Sequence, residues 1–141
     1  MKKIFVYGSL REGSFNYKKV LEGNVLNKVY GKATGNLFHL ENKGYPALIE
    51  GNKQIIGEII TLKNKNILKE IDLLENYNAF KYKESEYIRK PIKVVNLNTK
   101  KIEILDAYVY NVNNKSNFRD VLKIVPSGDW LEYIEGKWNN V

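Results

Sequence analysis

The stretch Gln54-Ile55-Ile56-Gly57-Glu58-Ile59-Ile60-Thr61-Leu62 carries the strongest strand signal in the chain. Five of its nine residues are Ile or Leu, and a run of this kind reads as a strand. Gly57 interrupts it. A glycine inside a strand marks a bend or a close approach of another backbone. Similar runs lie on both sides. Lys2–Tyr7 is a short apolar run typical of a buried strand, broken by Gly8-Ser9. Val25–Thr34 and Gly35–Leu40 read as strands with a bend at Gly35, and Pro46–Glu50 as a short extended piece. Glu86–Leu97 and Ile102–Val112 read as a hairpin turning at Asn98-Thr99. This makes about six strands, several kinked by glycine.

Helices are fewer. Ser14 is placed to cap a short helix to Leu21, with Gly23 as its stop. Asn64 or Asn66 caps a second, in which Ile67, Ile71 and Leu74 fall at i, i+4 and i+7, an amphipathic stripe. The segments Asn117–Ile124 and Ser127–Ile134 read as short helices or turns. Helices do not alternate with strands, which argues against a doubly wound parallel sheet. The expected architecture is α+β: a small mixed β-barrel with flanking helices. No linker, low-complexity run or repeat divides the chain, so residues 1–141 are expected to form one domain.

Composition excludes several chemistries. The chain of 141 residues has no cysteine and one histidine, His39. That removes disulfides, thiolate metal sites, cysteine catalysis and most zinc sites. A Ser-His-Asp arrangement would need His39 as its base. The formal net charge is +7, from 23 Lys+Arg against 16 Asp+Glu. Only Arg11, Arg89 and Arg119 are arginines, and the lysines are scattered. Readers of nucleic acid lean on arginine for bidentate contacts, so this pattern argues against a nucleic-acid partner. No apolar run approaches the ~20 residues needed to span a membrane. Met1-Lys2-Lys3 is not followed by a signal-peptide core. A cytoplasmic monomer without membrane contact is the default expectation.

Two places can carry chemistry. In Tyr7-Gly8-Ser9-Leu10-Arg11 a buried strand runs into Gly-Ser, where backbone N–H groups can converge on an anion. An ordinary strand-ending turn fits the same residues. The pattern lacks the spacing of a phosphate loop. The second place is Glu75, in Ile71-Asp72-Leu73-Leu74-Glu75-Asn76-Tyr77, at the end of the central helix. The negative end of the helix dipole disfavours its charged form and raises its pKa, which suits a general base. Position alone equally fits a solvated helix residue. His39, between Phe38 and Leu40, reads as a packed or surface residue without metal partners. Asp129-Trp130 reads as a turn whose Trp plugs the barrel. Tyr87 and Tyr110, on adjoining strands, can reach a pocket.

Taken in order, these segments resemble the γ-glutamylcyclotransferase-like (AIG2-like) family, in particular its small bacterial members. Phe5-Val6-Tyr7-Gly8-Ser9-Leu10-Arg11 resembles the family's substrate-binding loop, and Gly44-Tyr45-Pro46-Ala47 its second loop. Val29-Tyr30-Gly31 and Ile56-Gly57-Glu58 resemble its small-residue strand positions. Leu73-Leu74-Glu75 with Tyr87-Ile88-Arg89 resembles the segment that carries the catalytic acid. Ser127-Gly128-Asp129-Trp130-Leu131 is similar to the family's ending.

The resemblance implies a cofactor-free enzyme on a small barrel. It cleaves a γ-glutamyl amide by attack of the substrate's own α-amine, giving 5-oxoproline and a free amine. Glu75 would be the general acid/base, with Glu70 or Glu84 as alternatives if the alignment slips. Tyr7, Gly8, Ser9 and Leu10 would bind the γ-glutamyl group. Such chemistry needs neither Cys nor His. The loop Asn76–Glu86 and the segment after Pro126 are expected to shape the mouth that selects the leaving amine. Two other functions fit the same residues: a binding protein for a small carboxylate on this fold, and, on net charge, a barrel that binds nucleic acid.

Overall fold

The computed structural model describes residues 2–139. Strand β1 (Lys2–Val6) shows why the barrel forms. Its side chains alternate between two apolar layers: Ile4 and Val6 enter one, Phe5 and then Tyr7 the other. A strand apolar on both sides must be covered on both sides.

The long strands β2 (Val25–Leu40) and β3 (Tyr45–Leu62) pair antiparallel from Leu40↔Tyr45 to Val25↔Leu62. The register slips between Gly35 and Asn36, opposite the polar segment around residues 50–53. β3 continues antiparallel onto β1, which pairs parallel with β5 (Ile102–Tyr110) at Ile4↔Asp106. β5 forms a hairpin with β4 (Tyr87–Asn96). Its turn is held by Asn96, whose Oδ1 accepts the N–H groups of Asn98 at 2.9 Å and Thr99 at 3.1 Å. β4 returns to β2 at Gly31↔Asn96, so the sheet closes as a five-stranded barrel. A sixth strand, β6 (Leu122–Ile124), lies on the far end of β2.

The interior takes Phe5, Leu37, Ile55, Ile59, Val94 and Leu105 from all five barrel strands, and Trp130 joins them. Trp130 begins helix α2 (Trp130–Asn139) and donates its Nε1–H to His39 Nδ1 at 3.0 Å. On the outer face, helix α1 (Ile67–Leu74) and the helical turn Tyr17–Leu21 seat Ile67, Ile71 and Leu21 over Ile4, Val6, Ile60 and Leu62. Gly57 is required by close approach: a Cβ there would lie 2.4 Å from the carbonyl oxygen of Val6 and 2.6 Å from the Phe5 ring.

The expected mixed barrel with flanking helices is therefore the observed fold. Local readings are corrected in several places. The two pieces divided at Gly35 are one strand with a bulge, and Pro46–Glu50 is continuous with Gln54–Leu62, because the two long strands hold each other across their irregular centres. Residues 122–124, read within a helix or turn, form an edge strand against Phe38–Leu40. The short helix expected from Ser14 to Leu21 is present, but it is wound as a wide π-type turn over Tyr17–Leu21, without a side-chain cap at Asn16. At α1, the Oδ1 of Asn64 accepts the Asn66 N–H at 2.9 Å, and Asn66 itself makes no side-chain cap bond. The expected unit of 1–141 includes residues 1, 140 and 141, which lie outside the described residues. No helix among the described residues is long and apolar enough to cross a membrane.

Candidate active site

Helix α1 ends at Glu75, and its orientation is set one turn earlier by Asp72. Arg89 Nη1 on β4 donates to both Asp72 oxygens, at 3.0 and 2.9 Å, and the Tyr108 hydroxyl on β5 donates to Oδ1 at 2.5 Å. With Asp72 pinned to the barrel wall and Ile71 buried beneath it, Glu75 lines a cavity between the helix end and the loop that leaves β1. Tyr7, Gly8, Ser9, Leu10, Asn16, Tyr45, Pro46, Glu86, Tyr87 and Tyr108 share that cavity.

The Gly8–Arg11 loop is rigidly built. The Arg11 N–H closes it onto the Gly8 carbonyl at 2.9 Å. The Ser9 carbonyl accepts the N–H groups of Asn16 at 3.1 Å and Tyr17 at 3.0 Å, and the Ser9 hydroxyl accepts from Asn16 Nδ2 at 2.7 Å. The backbone N–H groups of Gly8, Ser9 and Leu10 donate to no acceptor among the described residues. Gly8 admits a close neighbour: a Cβ would lie 2.4 Å from Pro46 Cγ. Pro46 is held in turn by its carbonyl, which accepts the Tyr87 hydroxyl at 2.6 Å.

Glu75 is half-buried, and no described residue hydrogen-bonds or ion-pairs with its carboxyl group. No buried side-chain oxygen among the described residues lacks a partner, so both carboxyl oxygens of Glu75, a residue that lines the cavity, keep an accessible surface. Burial in surrounding protein, and secondarily the charge of Glu86, push its pKa up to about 8. Burial also raises the Tyr7 and Tyr87 hydroxyls well above their ordinary range, with Glu75 among the charges adding to it. The Tyr7 hydroxyl donates to the Tyr108 carbonyl at 2.5 Å and accepts the Leu48 N–H at 3.3 Å.

The cavity thus gathers Glu75, Tyr7, Gly8, Ser9, Leu10 and Tyr87. It leaves out Tyr110, whose ring packs edge-on against Tyr87 and whose hydroxyl is engaged by Asp120 and the Asn117 carbonyl. Glu70 and Glu84 are exposed and line no part of it. His39 is buried against Trp130. Asp129 forms an ion pair with Arg11 at 2.8 Å.

Sequence reasoning missed Glu86, Asn16 and Tyr108. Glu86 stands at the far end of the loop that starts after Glu75, and only the closure of that loop brings the two together. Asn16 reads locally as part of a helix start. Tyr108 follows from hairpin register, since it pairs with Arg89. No group of three or more His, Asp or Glu side chains among the described residues is arranged to hold a metal ion.

A family model described as "Gamma-glutamyl cyclotransferase, AIG2-like" matches residues 4–132. A protein of Niallia circulans named "Gamma-L-glutamyl-butirosin B gamma-glutamyl cyclotransferase" is 40% identical over 77 residues, covering 55% of this chain and 47% of that protein. The chain therefore spans about half the length of that relative. The "Gamma-glutamylcyclotransferase family protein YtfP" of Escherichia coli (strain K12) is 29% identical over 131 residues, 92% of this chain and 96% of that one. Among solved structures, an AIG2-like protein from Mus musculus superposes with a TM-score of 0.66 over 87% of this chain and 86% of that chain, at 20% identity, a likeness of fold.

Proposed function

The chain belongs to the gamma-glutamyl cyclotransferase, AIG2-like family of enzymes, and on that premise we propose that it converts a γ-glutamyl amide into 5-oxoproline and a free amine, with Glu75 as the proton-transfer group. The observation that carries this is the pairing, in one cavity, of an unpartnered carboxyl with three unpartnered backbone N–H groups.

The reaction closes a ring within the substrate. The α-amine nitrogen forms a bond to the γ-carbonyl carbon, and the bond from that carbon to the leaving nitrogen breaks. The α-ammonium gives up two protons on becoming the lactam nitrogen, and the leaving nitrogen takes up two on becoming an ammonium. A single carboxylate can shuttle them, and such help is typically worth ~10²–10⁴-fold. A group with a pKa near 8 is well matched to both directions of transfer. The N–H groups of Gly8, Ser9 and Leu10 would receive the α-carboxylate or the oxyanion that forms at the γ-carbon. The packed walls of Tyr7, Pro46 and Tyr87 would hold the chain bent for attack, an orientation effect worth several kcal/mol. A single copy of the chain, acting as one domain, carries every residue of this reading.

The test is release of 5-oxoproline from a panel of γ-glutamyl amino acids and amines, with Glu75→Gln as the control. Release by wild type that the variant reduces by about 10²-fold or more supports the reading. Absence of any release above the control rejects it.

A further inference from the structure

Glu75 and Glu86 occupy the two stems of one closed loop. The Glu86 N–H donates to the Asn76 carbonyl at 3.0 Å, pinching residues 76–86 at the base. The Glu86 carbonyl is fastened from the other side by the Asn111 N–H at 3.0 Å and Asn117 Nδ2 at 3.1 Å. The backbone of Glu86 is therefore held beside the end of α1, and its side chain enters the cavity that Glu75 lines.

The two oxygens of Glu86 differ. Oε2 receives the Tyr45 hydroxyl and Lys43 Nζ, the latter at 2.6 Å. Lys43 is itself shared with Asp120 at 2.9 Å. Oε1 accepts from no described residue. The side chain is only 14% exposed and lines the cavity, and since no buried side-chain polar atom among the described residues is left unsatisfied, Oε1 keeps an accessible surface. A carboxylate held by one oxygen and open at the other is an oriented acceptor. Beside it stands a second carboxyl with no partner of its own. The same cavity is lined by Gly8, Ser9 and Leu10, whose N–H groups are without an acceptor among the described residues and suit an anion. A cavity lined by both free N–H donors and two carboxyl groups matches a zwitterion.

We propose that Glu86 binds the α-ammonium of the substrate through Oε1 and holds it against Glu75. This inference rests on the γ-glutamyl reading of the same cavity. It makes Glu86 a binding residue that presents the nucleophilic nitrogen, while Glu75 takes its proton. Tyr45 and Lys43 fix the rotamer of Glu86 and leave Oε1 in place.

The test compares two probes that differ only in the ammonium: L-glutamine, the simplest γ-glutamyl amide, and its deamino analogue, glutaramic acid. Binding is measured by calorimetry in the Glu75→Gln protein, so that neither probe is consumed, with and without Glu86→Gln. With Glu86 present, L-glutamine is expected to bind about tenfold or more tightly than the analogue. Glu86→Gln is expected to remove most of that preference and leave the analogue's affinity unchanged. Glu86→Asp, which keeps the charge, retains part of it. In the otherwise wild-type enzyme, Glu86→Gln raises KM more than it lowers kcat. Equal weakening of both probes, or no preference to begin with, overturns the role of Glu86. If wild type also releases no 5-oxoproline, the γ-glutamyl reading falls with it. Turnover without an ammonium preference removes the Glu86 inference alone.

Discussion

Arg11 Nε donates to Glu58 Oε2 at 2.9 Å, and both residues are almost wholly buried. The pair ties the loop after β1 to the middle of β3. Glu58 Oε1 also accepts the Glu12 N–H at 2.8 Å, and Arg11 Nη1 reaches Asp129 at 2.8 Å. A buried charge left without its partner is costly. Arg11→Met and Glu58→Gln are each expected to lose about 3–5 kcal/mol of stability in urea unfolding. The double variant Arg11→Met/Glu58→Gln should lose less than the sum of its singles. Strict additivity would show that the two side chains do not act as a pair.

Gly8 and Pro46 meet across the cavity, and a Cβ on residue 8 would overlap the proline ring. Gly8→Ala must push the two loops apart. KM for a γ-glutamyl amide should rise, and the rise should be larger than any loss in melting temperature would suggest. Pro46→Ala removes the obstructing ring carbons, so the double variant should recover part of the lost KM. No recovery would mean that residue 8 acts through its own backbone conformation instead.

The raised pKa of Glu75 carries a kinetic signature. The base must be ionised to accept the ammonium proton. The acid limb of kcat/KM should therefore fall near pH 8 rather than in the usual carboxylate range. A profile flat down to pH 5 would remove Glu75 from the proton transfer.

The same shift links to stability, with the opposite trend. Glu75 titrates near 4.5 when unfolded and about 8 when folded. Between those values the folded state holds a proton that the unfolded state has lost. Stability from this group is full below about pH 4.5, declines as pH rises, and is lost above about 8. Glu75→Gln has no charge to bury. Its melting temperature should match wild type near pH 4 and exceed it increasingly toward pH 8 to 9. Allowing for solvent at the cavity mouth, the gain is on the order of 1 kcal/mol. An inactive variant that is more stable at alkaline pH also separates loss of function from loss of fold.

Much of the barrel was legible in the chain because apolar alternation is a local signal. Ile4, Phe5 and Val6 announce a strand covered on both faces, and Ile67 and Ile71 announce the face of α1 that packs against it. Two segments misled for a physical reason. Residues 122–124 are exposed, and only pairing with Phe38–Leu40 makes them a strand. The irregular centre of β3 has little strand character of its own and is carried by β2.

The order of motifs identified Glu75 and the Tyr7–Leu10 loop as candidates, since each is a short contiguous pattern. Local rhythm and composition are enough to tell which residues are apolar in a strand or helix pattern, and which chemistries have no side chain to perform them. That Glu86 shares the cavity with Glu75, and that Tyr110 does not line it, follows from the folded chain alone. Both depend on where loops close. The pinch between Asn76 and Glu86 joins residues ten apart, and Asp120 turns the Tyr110 hydroxyl aside. Hydrogen bonds between distant parts of a chain leave no periodic trace, so only the folded molecule reveals them.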